Sequence, residues 1–253
     1  MDELMYNRLV ICPHCGSEAP DYEDCVLCGR SFRDIDTPPR EIEADEIQKM
    51  MMDAKLQEIQ VKRGMLLGDT WDHAAWLERL KLLAEIAPEH PKVHYYIGAA
   101  LTEMGEYRQA IVSFTRALTH DPAMADAIRR RGDCQYLLVP VLSDDVQVYY
   151  DRALADYEAA LELEPDVYTY NVHGSVISSL GRVEEAIQEY DQAIEVDPDY
   201  SETYFNRGYA YKLLGEVDKA VADFERFLTF EKHWNEEMVS MAQSHIKELT
   251  QSD

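Results

Sequence analysis

The chain has 253 residues, 46% hydrophobic and 29% charged, which is enough apolar content for a folded core, and no apolar run approaches the roughly 18 residues that a membrane helix needs. Its 49 acidic residues against 24 basic ones leave a formal charge of −25 at pH 7, which repels a phosphate backbone and argues against nucleic acid as a main partner. The start, Met1-Asp2-Glu3-Leu4-Met5, lacks the basic region and apolar stretch of a secretory signal, so the expected compartment is the cytoplasm.

The first feature along the chain is Cys12-Pro13-His14-Cys15-Gly16, followed by Cys25-Val26-Leu27-Cys28-Gly29. A Cys-x-x-Cys turn aims both sulfurs at one centre, and the glycine after each pair permits the tight turn. Two such turns build a tetrahedral thiolate cage. Residues 1–36 are read as a metal module resembling a short zinc ribbon, with Cys12, Cys15, Cys25 and Cys28 as ligands of a structural Zn2+. The segment is too short for a core of its own, so the metal supplies most of its folding free energy, on the order of 10 kcal/mol. His14 is read as a surface residue of the first knuckle, because four thiolates complete the shell. A rubredoxin-like iron electron carrier is one alternative, since Cys-Pro-x-Cys-Gly also occurs there, although rubredoxin knuckles stand further apart. Disulfides are another, set back by the absence of an export signal. Residues 1–40 place Arg8, Arg30, Arg33 and Arg40 against eight carboxylates, so a regulator contacting nucleic acid or a nucleoprotein complex through this module is kept only as an alternative.

Residues 37–90 read as a linker and N-terminal helices. Asp36-Thr37-Pro38-Pro39 stops helix formation. Glu41–Arg63 then has no Gly or Pro inside and sets Ile47, Met51 and Ala54 on one face, beside the soft cluster Met50-Met51-Met52. Trp71–Ala87 follows, with Asp69 or Thr70 as N-cap and Trp76, Leu80, Leu83 and Ala87 along one face. Gly64 and Pro88 also share the Gly-to-Pro spacing of the repeats that follow, so this region is read as a degenerate repeat or cap.

From residue 91 to 234 a unit recurs about every 34 residues. Its divisions are 91–124, 125–166, 167–200 and 201–234. Gly98 and Pro122 keep the same separation as Gly174 and Pro198. Between them fall Leu101, Gly105, Ala110, Phe114 and Ala117 in the first unit, and Ile177, Gly181, Ala186, Tyr190 and Ala193 in the third. The fourth has Gly208, Tyr211, Gly215, Ala220, Phe224 and Phe227. The second has Gly132, Ala153, Tyr157, Ala160 and Pro165, spread by an insertion within residues 139–148, read as a loop. Residues 235–253 are read as a capping helix and tail, with Val239, Ala242, Ile246 and Leu249 on one face.

This pattern resembles the tetratricopeptide repeat family: an aromatic, Leu-Gly, an aromatic, Ala, Phe, Ala and Pro at fixed intervals. The resemblance implies an all-α superhelical solenoid of antiparallel helix pairs. It also implies a protein-protein interaction role, in which a client peptide or protein segment lies in a groove lined by the first helix of each unit. Carried over position by position, the lining includes Lys92, Tyr95, Tyr96, Arg129, Arg130, Tyr136, Tyr168, Asn171, Phe205, Asn206, Tyr209 and Lys212. Arg129 and Arg130 are read as able to hold a partner carboxylate. The carboxylate clamp of chaperone-binding relatives is not expected, because Asp133 and Val172 occupy two of its Lys and Asn positions. Cys134 stands where other units have Ala100, Val176 and Ala210, and is read as a small buried residue. No phosphate-cradling glycine loop, metalloprotease motif or nucleophile-base pair is visible, so the expected protein is an adaptor or assembly factor and not an enzyme.

Overall fold

A computed structural model describes residues 9–11, 18–20, 53, 73–139, 146–230 and 236–251. Its elements are β1 (Leu9–Ile11), β2 (Glu18–Pro20), α1 (His73–Ile86), α2 (Pro91–Glu103), α3 (Tyr107–His120), α4 (Ala125–Leu138), α5 (Val146–Leu163), α6 (Val167–Ser179), α7 (Val183–Val196), α8 (Ser201–Leu213), α9 (Val217–Leu228) and α10 (Glu236–Thr250). The chain divides into two compact units, Met1–Pro122 and Ala123–Asp253. No helix of the described residues is long and apolar enough to cross a membrane.

In the first unit β1 and β2 pair antiparallel in the register Leu9 with Pro20, Val10 with Ala19 and Ile11 with Glu18. Cys12, Cys15, Cys25 and Cys28 lie outside the described residues, as does the expected Glu41–Arg63 helix apart from Asp53, which is helical. Helix α1 packs on α2 and buries Trp76, Leu80 and Leu83, the face expected from their spacing. Counted back one repeat length from Ala110, Phe114 and Ala117, these three occupy the same places, and Pro88 matches Pro122. Helix α1 thus keeps the register of a repeat's second helix. Helices α2 and α3 form the first full hairpin, closed where the Phe114 ring faces Gly98.

The second unit holds three hairpins, α4/α5, α6/α7 and α8/α9, each helix packing on the next, and ends in α10. Their closeness depends on a missing side chain in the first helix. A Cβ at Gly174 would meet Tyr190 Cε1 at 2.8 Å, one at Gly132 would meet Tyr157 Cε1 at 3.0 Å, and one at Gly208 would meet Phe224 at 3.2 Å. The aromatic opposite each glycine is buried and fills the gap between the helices. Two clusters form the core. One gathers Leu154, Tyr157, Ile177 and Tyr190, and the other gathers Tyr204, Phe205, Phe224, Phe227 and Ala242.

The turn inside a hairpin is set by a second glycine. Gly181 and Gly215 have φ of +78° and +75°, the left-handed conformation that ends a helix in a Schellman motif. Arg182 N donates to Ile177 O at 3.2 Å, and Gly181 N to Ser178 O at 2.9 Å. Glu216 and Gly215 repeat the arrangement with Tyr211 and Lys212. The corresponding place in the second repeat is held by Val139, at φ −53°, ψ −47°, a right-handed conformation. A β-branched residue does not take up positive φ, so the chain does not turn there. The insertion expected as a loop is in part helix, because Val146, Gln147 and Val148 form the first turn of α5. That helix has 18 residues, against 14 in α7 and 12 in α9.

Helix α10 keeps the repeat register. Ala242 falls one repeat length after Gly208 and is fully buried, so α10 stands in the register of a first helix. Its remaining core contacts are the expected Val239, Ile246 and Leu249, joined by Met238.

Candidate peptide-binding face

Within the second unit the first helices of the hairpins lie in sequence, and three polar links join their common face. The Arg129 guanidinium sits 4.8 Å from the centre of the Tyr168 ring, linking α4 to α6. Asn206 Nδ2 donates to Asn171 Oδ1 at 3.0 Å, linking α8 to α6. Lys212 Nζ donates to Glu248 Oε2 at 2.6 Å and to His245 Nδ1 at 3.0 Å, linking α8 to α10. The face therefore runs over α4, α6, α8 and α10.

The residues expected to line it divide by exposure. Tyr168 and Tyr209 are open to solvent, at 36% and 41%. Arg129, Arg130, Tyr136, Asn206 and Lys212 are half-buried, and Asn171 is buried beneath Asn206. Phe205 is buried, a correction to its expected place on the lining: its ring packs edge-on against Phe224 and Phe227, with centroids 5.7 and 5.4 Å away. In the first unit Lys92 is exposed, but Tyr95 and Tyr96 are buried and need the same correction. Tyr95 lies 5.9 Å from Phe114. Tyr95 and Phe205 share a physical reason, since an aromatic three residues before the close-approach glycine fills the space beside the opposing ring, whereas Tyr96 packs edge-on against Tyr95 with centroids 5.2 Å apart.

The expectation for Arg129 and Arg130 also changes. Arg129 donates to Asp133 Oδ2 at 3.0 Å and to Asp126, and Arg130 lies 3.6 Å from Asp126. The carboxylates these cations were expected to take from a partner are supplied by α4 itself. Burial opposes the charge on Arg129, but Asp133 and Asp126 outweigh it and hold the guanidinium more firmly protonated than usual. Burial raises the Asp133 carboxyl, while Arg129 and the Tyr157 hydroxyl, which donates to Asp133 Oδ1 at 2.9 Å, pull it back. Partial burial, reinforced by Asp133, raises the Tyr168 hydroxyl above its usual range. Cys134 is fully buried, as expected.

A set of half-buried polar pairs went unseen in the sequence. Arg131 grips Asp156 with Nε and Nη2 at 2.9 and 2.6 Å, and Gln135 adds a bond at 3.1 Å. Arg207 grips Asp223 at 2.8 Å twice and reaches Asp191 of the preceding hairpin at 2.6 Å. His173 Nδ1 meets Glu189 Oε2 at 2.9 Å in the same place of the third repeat. The signal was present: Arg131, His173 and Arg207 each precede the close-approach glycine, and Asp156, Glu189 and Asp223 each precede its aromatic. These pairs tie the two helices of a hairpin behind the face and leave its surface to other residues.

Comparison with known proteins agrees with this architecture. Residues 91–124 and 201–232 each match a model described as tetratricopeptide repeat, and residues 174–215 match one described as TPR repeat. An uncharacterized protein of Methanocaldococcus jannaschii is 36% identical over 64 residues, covering 25% of this chain and 74% of that protein. A probable UDP-N-acetylglucosamine–peptide N-acetylglucosaminyltransferase, SPINDLY of Hordeum vulgare, is 32% identical over 131 residues, 51% of this chain and 14% of that protein. The chain spans 14, 35 and 25% of the length of the first curated relatives it matches. Among solved structures YrrB, described as a TPR protein with an unusual peptide-binding site, superposes with a TM-score of 0.59 at 18% identity, covering 83% of this chain and 94% of that one. Repeat spacing, glycine-aromatic hairpins and these matches converge, and the chain belongs to the tetratricopeptide-repeat proteins.

Proposed function

We propose that the protein is a non-catalytic adaptor of the cytoplasm that binds a segment of a partner protein on the face of α4, α6, α8 and α10. The observation that supports this most is the exposure of Tyr168 and Tyr209, while Tyr204 and Phe205 are buried and Tyr170 and Tyr211 half-buried on the same helices. Tyrosine offers rigid contact area at small entropic loss, and its hydroxyl adds a directional bond. Asn206 stands on the same helix as Tyr209, half-buried, with an amide suited to the donors and acceptors of a peptide backbone. Arg129 and Lys212 are already neutralised by Asp126, Asp133 and Glu248, so the face selects by shape and hydrogen bonding more than by net charge. The likeness to YrrB adds support of the same kind.

The reading extends to the N-terminal module, where Cys12, Cys15, Cys25 and Cys28 hold a structural zinc and form a second docking surface. The four-cysteine spacing supports it, as does the antiparallel pairing of β1 and β2 on either side of Cys12 and Cys15.

Photo-crosslinking from position 209 in the full-length chain, in native lysate, tests the face. A discrete cross-linked partner is expected, with Tyr168→Ala lowering its capture about tenfold, the effect of one lost anchor. Unchanged capture by a folded Tyr168→Ala chain, or the absence of any product from position 209, would place binding elsewhere. Metal analysis of the same preparation is expected to find one zinc per chain, abolished by Cys12→Ser.

A further inference from the structure

The helix α10 that closes the last repeat is held by a contact that requires a neutral histidine. The His245 ring lies against three aromatics, with centroids 5.2 Å from Phe224, 5.7 Å from Tyr209 and 6.5 Å from Phe205. Its Nδ1 is 3.0 Å from Lys212 Nζ. A lysine ammonium has only hydrogens to give, so Nδ1 must be the acceptor and the ring must carry its proton on Nε2. That Nε2 is buried without a hydrogen-bond partner. Of the groups facing the ring, α8 contributes Lys212 and Tyr209, α10 contributes Glu248 at 3.8 Å, and α9 contributes the apolar Phe224.

From this geometry we infer that α10 is a pH-sensitive seal on the last repeat: protonation of His245 loosens the helix and uncovers the aromatic cluster of Phe205, Phe224 and Phe227. A proton on Nδ1 removes the acceptor for Lys212 and sets two cations at hydrogen-bond distance in a half-buried site. Glu248 compensates only in part, because its nearer bond, 2.6 Å, goes to Lys212. Along the rest of α10 Ala242 is fully buried, while Met238, Val239, Ile246 and Leu249 are only half-buried against the cluster. A helix so attached opens without global unfolding. The sign follows from linkage. Burial first, then Lys212, lowers His245 below the usual 6.5, while Glu248 pulls it back. The folded state thus binds fewer protons than the unfolded one, so the stabilisation is complete above pH 6.5 and is lost as pH falls below it. The seal adds to the proposed binding face a means of altering its end, and does not depend on that face binding a peptide.

Hydrogen exchange of the full-length protein at pH 7.5 and 5.0, expressed as protection factors, tests the seal. Amides of α10 are expected to lose about tenfold in protection at pH 5.0 while those of α6 and α7 hold. His245→Phe keeps a ring in place and should remove the loss. Lys212→Met keeps the histidine but removes the second cation, and should shrink it. Unchanged α10 protection across pH in the parent chain would overturn the inference, as would an undiminished loss in either variant. Peptide capture reports on the proposed function separately, so failure of one is distinguishable from failure of the other.

Discussion

The second and third repeats perform the same packing with different turns. In α6/α7 the glycine-aromatic contact of Gly174 and Tyr190 accompanies a left-handed Gly181 that reverses the chain at once. In α4/α5 the contact of Gly132 and Tyr157 is nearly as close, yet Val139 holds the place of the turn glycine, and the second helix begins later and is longer. The hairpin therefore does not need its tight turn to find its packing. Buried contacts between the helices fix their relation, and the turn decides only how much chain is spent between them.

Substitutions at three positions sharpen that contrast. The largest effect is expected at Tyr157, fully buried and bonded to Asp133. Tyr157→Ala should cost about 3–5 kcal/mol by opening a cavity, whereas Tyr157→Phe should cost about 1–3 kcal/mol by leaving a buried carboxyl short of a donor. Urea unfolding of both separates ring from hydroxyl, and equal losses would show that the ring contributes little. Next comes Gly174→Ala, whose new methyl would lie 2.8 Å from Tyr190 and 3.2 Å from the Ala186 carbonyl. A loss of about 1–3 kcal/mol is expected, and a neutral result would mean that the hairpin widens freely. The smallest effect is expected at Gly181→Ala, where a methyl meets nothing within 4 Å and only the positive φ is strained. About 1 kcal/mol is expected by the same denaturation measurement. A loss there exceeding that of Gly174→Ala would reverse the ranking of turn and contact.

Much of the fold was legible in spacing. The recurrence of Gly98, Gly132, Gly174 and Gly208 against their aromatics located the hairpins, and the alternation in residues 236–249 located α10. The candidate face was legible in position only. Tyr168 and Phe205 were assigned to the same lining, yet one is exposed and the other is core, because Phe205 has Phe224 and Phe227 beside it while Tyr168 has the Arg129 guanidinium. Arg129 could be placed on the face, but its engagement by Asp126 and Asp133 depends on rotamers that a repeat pattern does not contain. The insertion was found in the right place and only partly in the right form, since whether Val146–Val148 continue a helix depends on what they pack against.

By itself the sequence determined the period, the glycines of close approach, the residues that fill the hairpins and the cysteine spacing at the front. Each of these is forced by local sterics or by an interval along one chain. Only the tertiary structure decided which of two residues at like positions is wall or surface, which acids neutralise which arginines, and that Lys212 is bound by His245 and Glu248 of the closing helix. Those outcomes depend on the rotamers, size and charge of neighbours, some a turn away on the same helix and others on another helix, and a periodic pattern fixes where a side chain starts but not what it meets.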